Sequence, residues 1–113
     1  MEEIEVPYVF ITSTYPYDKG VEAAKIYIKS ISEFKSAIKG LSKEIVPNAI
    51  KARKEGIEAT GIHDIKPGKL EEFLLLQQKY MVPYHDVEGF RYTIEVRFKV
   101  EEALEMIGMN MPE

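Results

Sequence analysis

Between Phe90 and Phe98 every second side chain is apolar, with Arg91, Thr93, Glu95 and Arg97 between them. A period of two predicts a strand with one buried and one polar face. Tyr8 to Thr14 reads differently, because apolar residues occupy both parities, Tyr8 and Phe10 against Val9 and Ile11. That pattern predicts a central strand covered on both sides. Pro16 stops it, and Asp18 is placed to cap a helix whose apolar positions, Val21, Ala24, Ile28, Ile31, Phe34, Ile38 and Leu41, recur every third or fourth residue. Gly40 lies near the end of that helix. A second stripe, Leu70, Phe73, Leu74, Gln77, Tyr80, Met81 and Tyr84, follows the turn Lys66-Pro67-Gly68 and ends at Pro83.

The segment between the two helical patterns admits two readings. Residues 42–54 can be a further helix broken by Pro47, or a strand in which Val46, Asn48, Ile50 and Ala52 share a parity. The strand is preferred, since Arg53-Lys54-Glu55-Gly56 offers a hairpin loop with glycine at a left-handed position and Ile57 to Ile65 reads as a strand just beyond. Pro47 then puts the first strand at a sheet edge. Val100 to Ile107 predicts a short amphipathic helix through Ala103, Leu104 and Ile107, and Met109 to Glu113 a frayed tail. The order β-α-β-β-α-β plus a short C-terminal helix predicts an α+β, ferredoxin-like fold: a four-stranded antiparallel sheet with both long helices on one face.

A chain of 113 residues is expected to form a single domain over 1–113. The sheet face without helices carries apolar residues, so a homodimer or higher assembly of the chain with itself is expected to cover it. There is no cysteine, which excludes disulfides and thiolate metal sites. Apolar runs such as Phe73 to Leu76 fall far short of the roughly 20 residues that span a bilayer, and Met1-Glu2-Glu3 begins no signal peptide. A cytoplasmic protein without a membrane partner is the expectation. Net charge is −4, with fifteen basic residues interleaved among nineteen acidic ones, which argues against nucleic acid. No glycine-rich phosphate loop, nucleophile elbow or His-Glu-x-x-His pattern occurs, and no cofactor is expected.

The element order, together with Lys66-Pro67-Gly68-Lys69-Leu70-Glu71-Glu72 leading into the second helix and Glu88-Gly89-Phe90-Arg91-Tyr92 leading into the last strand, resembles the dimeric α/β-barrel superfamily. The resemblance implies ferredoxin-like domains that set two open sheet faces together around a central cavity. It implies no single activity, because that superfamily includes cofactor-free oxygenases, isomerases, haem enzymes and ligand-sensing modules.

Three groups of residues offer chemistry. His63 lies in an otherwise apolar central strand, where it serves either as a general acid or base or as a structural histidine hydrogen-bonded across the sheet. His85, with Tyr80 and Tyr84 close by in sequence, suits the rim of a cavity for a small polar ligand, or else a surface loop beside packed tyrosines. Arg91, Glu95 and Arg97 stand in a row that favours an anion if it faces a cavity and discourages aggregation if it faces water. The spacing of His63 and His85 matches no metal motif. The candidate ligand-binding residues are therefore His63, Tyr80, Tyr84, His85 and Arg91, around a small organic ligand held at the sheet face of a binding or sensing homodimer. The alternatives are a cofactor-free oxygenase or isomerase in which His63 or His85 moves protons, and a structural oligomer without ligand. A pocket enclosing a histidine of shifted pKa speaks for the enzyme, and one without titratable groups for the sensor.

Overall fold

In the computed structural model, which describes residues 7–112, the elements follow in the order β1 (Tyr8–Tyr15), α1 (Gly20–Leu41), β2 (Ser42–Ala52), β3 (Ile57–Ile65), α2 (Leu70–Met81), β4 (Arg91–Arg97) and α3 (Val100–Met106). The four strands form one antiparallel sheet in the order β2-β3-β1-β4. Met1-Glu2-Glu3 lies outside the described residues, as does Glu113 at the end of the expected tail; residues 109–112 have no regular structure.

β1 and β3 are paired along the whole of β1, from Tyr8 opposite Asp64 to Tyr15 opposite Ile57. Alternation along this ladder sends Val9, Ile11, Ala59, His63 and Ile65 to one face, where they are buried. Phe73, Tyr80 and Met81 of α2 and Ala23 and Leu41 of α1 pack on that same face. Tyr8, Phe10 and Thr12 point the other way and are only half-buried. The residues of β2 read as strand and not helix: the chain reverses through Arg53-Lys54-Glu55-Gly56, with the Arg53 amide donating to the Gly56 carbonyl at 2.7 Å.

Several details depart from the periodic reading. Asp18 does not cap α1. It falls in a 3-10 turn, Tyr17–Lys19, and α1 starts after it with no side-chain cap. Nor is the α1 stripe the expected one, since Val21 and Ile28 are 71% and 67% exposed while Ser30 is buried. The inward face is rotated toward Ala23, Ile26, Ser30, Phe34, Ile38 and Leu41, spaced by three and four, so a small hydroxyl residue takes a place on it. In α3 the buried residue is Glu102, whose carboxylate accepts the Lys99 backbone N–H at 2.8 Å, and Ile107 lies beyond the helix, 70% exposed. Capping outranks apolar patterning in so short a helix. α2 ends two residues before Pro83, and a 3-10 turn, Val82–Asp86, carries Tyr84 inward. Among the described residues no helix is long and apolar enough to cross a membrane.

At the β2–β3 turn Gly56 has a φ of +157°, and a Cβ there would overlap the carbonyl of Tyr15. Gly56→Val is expected to cost more than about 1 kcal/mol in denaturant unfolding, while Glu55→Ala, which removes only an exposed ion pair to Arg53, is expected to stay within about 0.5 kcal/mol. Similar small effects from both would contradict the steric role of Gly56.

Candidate functional site

β2 does not pair evenly with β3. Its register slips between Glu44 and Val46 and again between Val46 and Ala49, so Pro47 and Asn48 have no Cα partner. Proline has no N–H to give a ladder, and edge bulges are where it is tolerated. Opposite them stands Gly61, where a Cβ would come within 3.2 Å of the Pro47 carbonyl oxygen. Having no side chain, Gly61 lets the bulge approach over the helix-facing side of the sheet. The slips also change parity: Val46 pairs with Ile62 of the open face, whereas Ile50 pairs with Ala59 of the helix face. The shared parity expected for these two residues is thus broken by the bulges.

Between the bulged β2, the floor formed by β1 and β3, and helices α1 and α2 lies a cavity of ≈ 430 Å³. Its floor includes Ile11, Ala59 and Gly61; Tyr27 and Ile31 of α1 stand on one side and Tyr80, Met81 and Tyr84 on another. This half-open space within a single chain is on the helix side of the sheet, opposite to the face on which the sequence set a cavity shared between subunits.

The five sequence candidates separate into two groups. His63, Tyr80 and Tyr84 all line the cavity. His85 and Arg91 do not. The exposed ring of His85 stacks on Tyr92 at 5.6 Å, with Nε2 2.7 Å from the Tyr92 hydroxyl, which also accepts from Gln78 Nε2 at 2.7 Å. Arg91 is the Cα partner of Thr14 and shares the open face with Glu95 and Arg97; the latter two are paired at 2.9 Å, and the Arg97 guanidinium lies 4.1 Å from the centre of the Phe10 ring. The cavity instead gains Tyr15, Tyr27, Glu44 and Gln77. Of these, Gln77 had a sequence signal, an amide within an otherwise apolar helical stripe; Tyr27 and Glu44 had none, because their orientation depends on how α1 rotates and where β2 slips.

His63 is 6% exposed and sits against the Phe73 ring at 5.0 Å. The Ser42 hydroxyl donates to the Ile38 carbonyl at 3.2 Å and lies 3.1 Å from His63 Nδ1. A hydroxyl has one proton to give; with that proton on the Ile38 carbonyl, Ser42 accepts from Nδ1–H and Nε2 is an acceptor. Burial lowers the imidazole pKa to about 4, which keeps the ring neutral at neutral pH. Burial, with Tyr84, Tyr27 and Glu44 nearby, raises the Tyr80 phenol well above its ordinary range, and burial raises Tyr84 to about 12. Both phenols keep their protons. Gln77 is 4% exposed and its Oε1 has no hydrogen-bond partner. Among the described residues, no group of three or more His, Cys, Asp or Glu side chains is arranged to hold a metal ion.

Because the folded-state pKa of His63 lies below the unfolded value of about 6.5, the unfolded chain binds the extra proton in the window between them. Stability from the neutral ring is complete above about pH 6.5 and is lost as pH falls toward 4. Urea unfolding at pH 7 and pH 4.5 is expected to show a smaller acid loss in His63→Asn than in the wild type, by on the order of 2 kcal/mol. Equal losses in the two proteins would show that the ring is not held neutral.

Compared with protein-family models, with curated proteins and with solved structures, the chain matches none, so its function is read from the side chains that the cavity brings together.

Proposed function

We propose that the chain is a ferredoxin-like small-molecule-binding module whose ligand occupies the cavity between the helices and the β2–β3 side of the sheet. The single observation that carries this reading is the cavity itself: ≈ 430 Å³, mostly apolar walls, and one buried polar atom left without a partner, Gln77 Oε1. Volumes of about 300–1,000 Å³ with sparse polar groups are typical of ligand sites. A buried amide oxygen without a partner costs about 1–3 kcal/mol unless something answers it, and a ligand in the cavity would. The strand order β2-β3-β1-β4, with α1 and α2 on one face, supports the ferredoxin-like reading and the resemblance to dimeric α/β-barrels.

A histidine of shifted pKa in the cavity is the feature that speaks for the enzyme alternative, but the downward direction of the shift weakens that reading. A group with a pKa of about 4 is unprotonated at neutral pH, so it holds no imidazolium proton to donate there and is a weaker base than an ordinary histidine. His63 acts in this reading as an acceptor of fixed orientation.

A homodimer through the open face belongs to the same proposal. Tyr8, Phe10, Val46 and Ile62 are half-exposed there, and charged side chains surround them: Lys99 bonds Asp64 at 2.8 Å beside the Tyr8 ring, and Arg97 covers Phe10. An apolar centre within a polar rim is the anatomy of an association surface, and stable pairs bury about 1,600 Å². Light scattering after size exclusion is expected to give twice the 13.0 kDa chain mass at micromolar concentration. A folded monomer under those conditions would remove the dimer and leave the cavity untouched.

The binding reading is tested by mapping amide shifts on addition of small neutral aromatic compounds. Shifts should centre on Ile11, His63 and Tyr80 and vanish in Ala59→Leu, whose larger side chain fills the cavity floor while circular dichroism stays unchanged. Shifts confined to Phe10 and Ile62 would overturn the site.

A further inference from the structure

Several polar atoms of the cavity are acceptors, beside donors such as the phenol hydroxyls of Tyr80 and Tyr84, and the one carboxylate or cationic side chain among the described lining residues is the anion Glu44. With the Ser42 proton on the Ile38 carbonyl and Nδ1–H on Ser42, His63 presents Nε2 as an acceptor, and Gln77 presents an unpartnered carbonyl oxygen. The Pro47 carbonyl, brought in by the bulge over Gly61, is another acceptor. Glu44 is the Cα partner of His63 and lines the cavity from the exposed edge strand, adding a carboxylate near its mouth. Among the described residues lining the cavity there is no lysine and no arginine.

From this arrangement we infer that the ligand is an amine, with its nitrogen directed at the acceptors Glu44, His63 and Gln77 and an apolar body lying among the rings of Tyr27, Tyr80 and Tyr84. The inference rests on the ligand-binding reading of the same cavity and adds the ligand's chemical class. An ammonium group carries three donors and no acceptor, which complements the carboxylate of Glu44 and the acceptors beside it. Aromatic faces add attraction for a cation. A carboxylate would meet Glu44 as a like charge and the bare Nε2 as a second lone pair, with no cation to offset either. An alcohol can donate one hydrogen bond but draws nothing from the Glu44 charge.

Three compounds with one body test the assignment: phenethylamine, phenethyl alcohol and phenylpropionate, titrated against the full chain at neutral pH and low salt with amide shifts as the readout. The amine is expected to bind about tenfold tighter than the alcohol and tighter still than the carboxylate. In Glu44→Gln the amine should lose most of that advantage while the alcohol's affinity stays the same, and added salt should act in the same direction as the substitution. If the alcohol or the carboxylate shifts cavity residues at equal or lower concentration than the amine, the amine assignment is overturned and the site stands. An amine preference unchanged in Glu44→Gln would also overturn it. Shifts from none of the three at cavity residues would overturn the site along with the ligand class.

Discussion

The ladder between β1 and β3 decides the rest of the structure, because once Tyr8 is opposite Asp64 the parity of every residue on both strands is set. A slip of one residue would turn Val9, Ile11, His63 and Ile65 away from Phe73 and expose them. Pairing with β4 extends the same constraint, placing Tyr92 and Ile94 beneath the helices and the row of Arg91, Glu95 and Arg97 on the far side. Only β2 escapes it. As an edge strand it satisfies one partner, which leaves room for two slips, and the space those slips admit is where the cavity lies.

Elements with a single strong period were legible in the sequence. The alternation of β4, the α2 stripe and the hairpin at Gly56 each follow from local steric and burial rules that need no knowledge of the partner. The cavity residues His63 and Tyr80 could be named for the same reason, since β3 parity and α2 spacing fix their direction, whereas Tyr84 lies past the end of α2 and is carried inward by the 3-10 turn. What could not be read depends on distant neighbours. The rotation of α1 that buries Ser30 and exposes Ile28 answers to the shape of the sheet, and the parity break in β2 answers to the empty side-chain position at Gly61. His85 and Arg91 are close to the site in sequence, yet the turn after Pro83 and the outward parity of Arg91 carry them elsewhere.

Neutrality characterises the cavity's interior. Burial acts in opposite senses on acids and bases, lowering the imidazole of His63 and raising the phenols of Tyr80 and Tyr84, with one result: each is uncharged when the cell is near neutral pH. Charge is confined to Glu44 at the edge. The Ser42 hydroxyl links the end of α1 to the floor of the sheet, between the Ile38 carbonyl and His63 Nδ1.

Aromatic rings form one end of this space as a continuous slab. Phe90 stacks on Tyr15 at 5.8 Å and on Tyr84 at 4.5 Å, so a body resting on one ring is coupled to the others by contact. The chain contains seven tyrosines and no tryptophan, and Tyr15, Tyr27, Tyr80 and Tyr84 line the cavity. With no indole to dominate the signal, the intrinsic ultraviolet emission of the protein comes largely from phenols at the cavity wall. Filling or emptying the cavity therefore changes the quenching of the chain's own fluorophores, and the fold carries an optical gauge of its occupancy without any label.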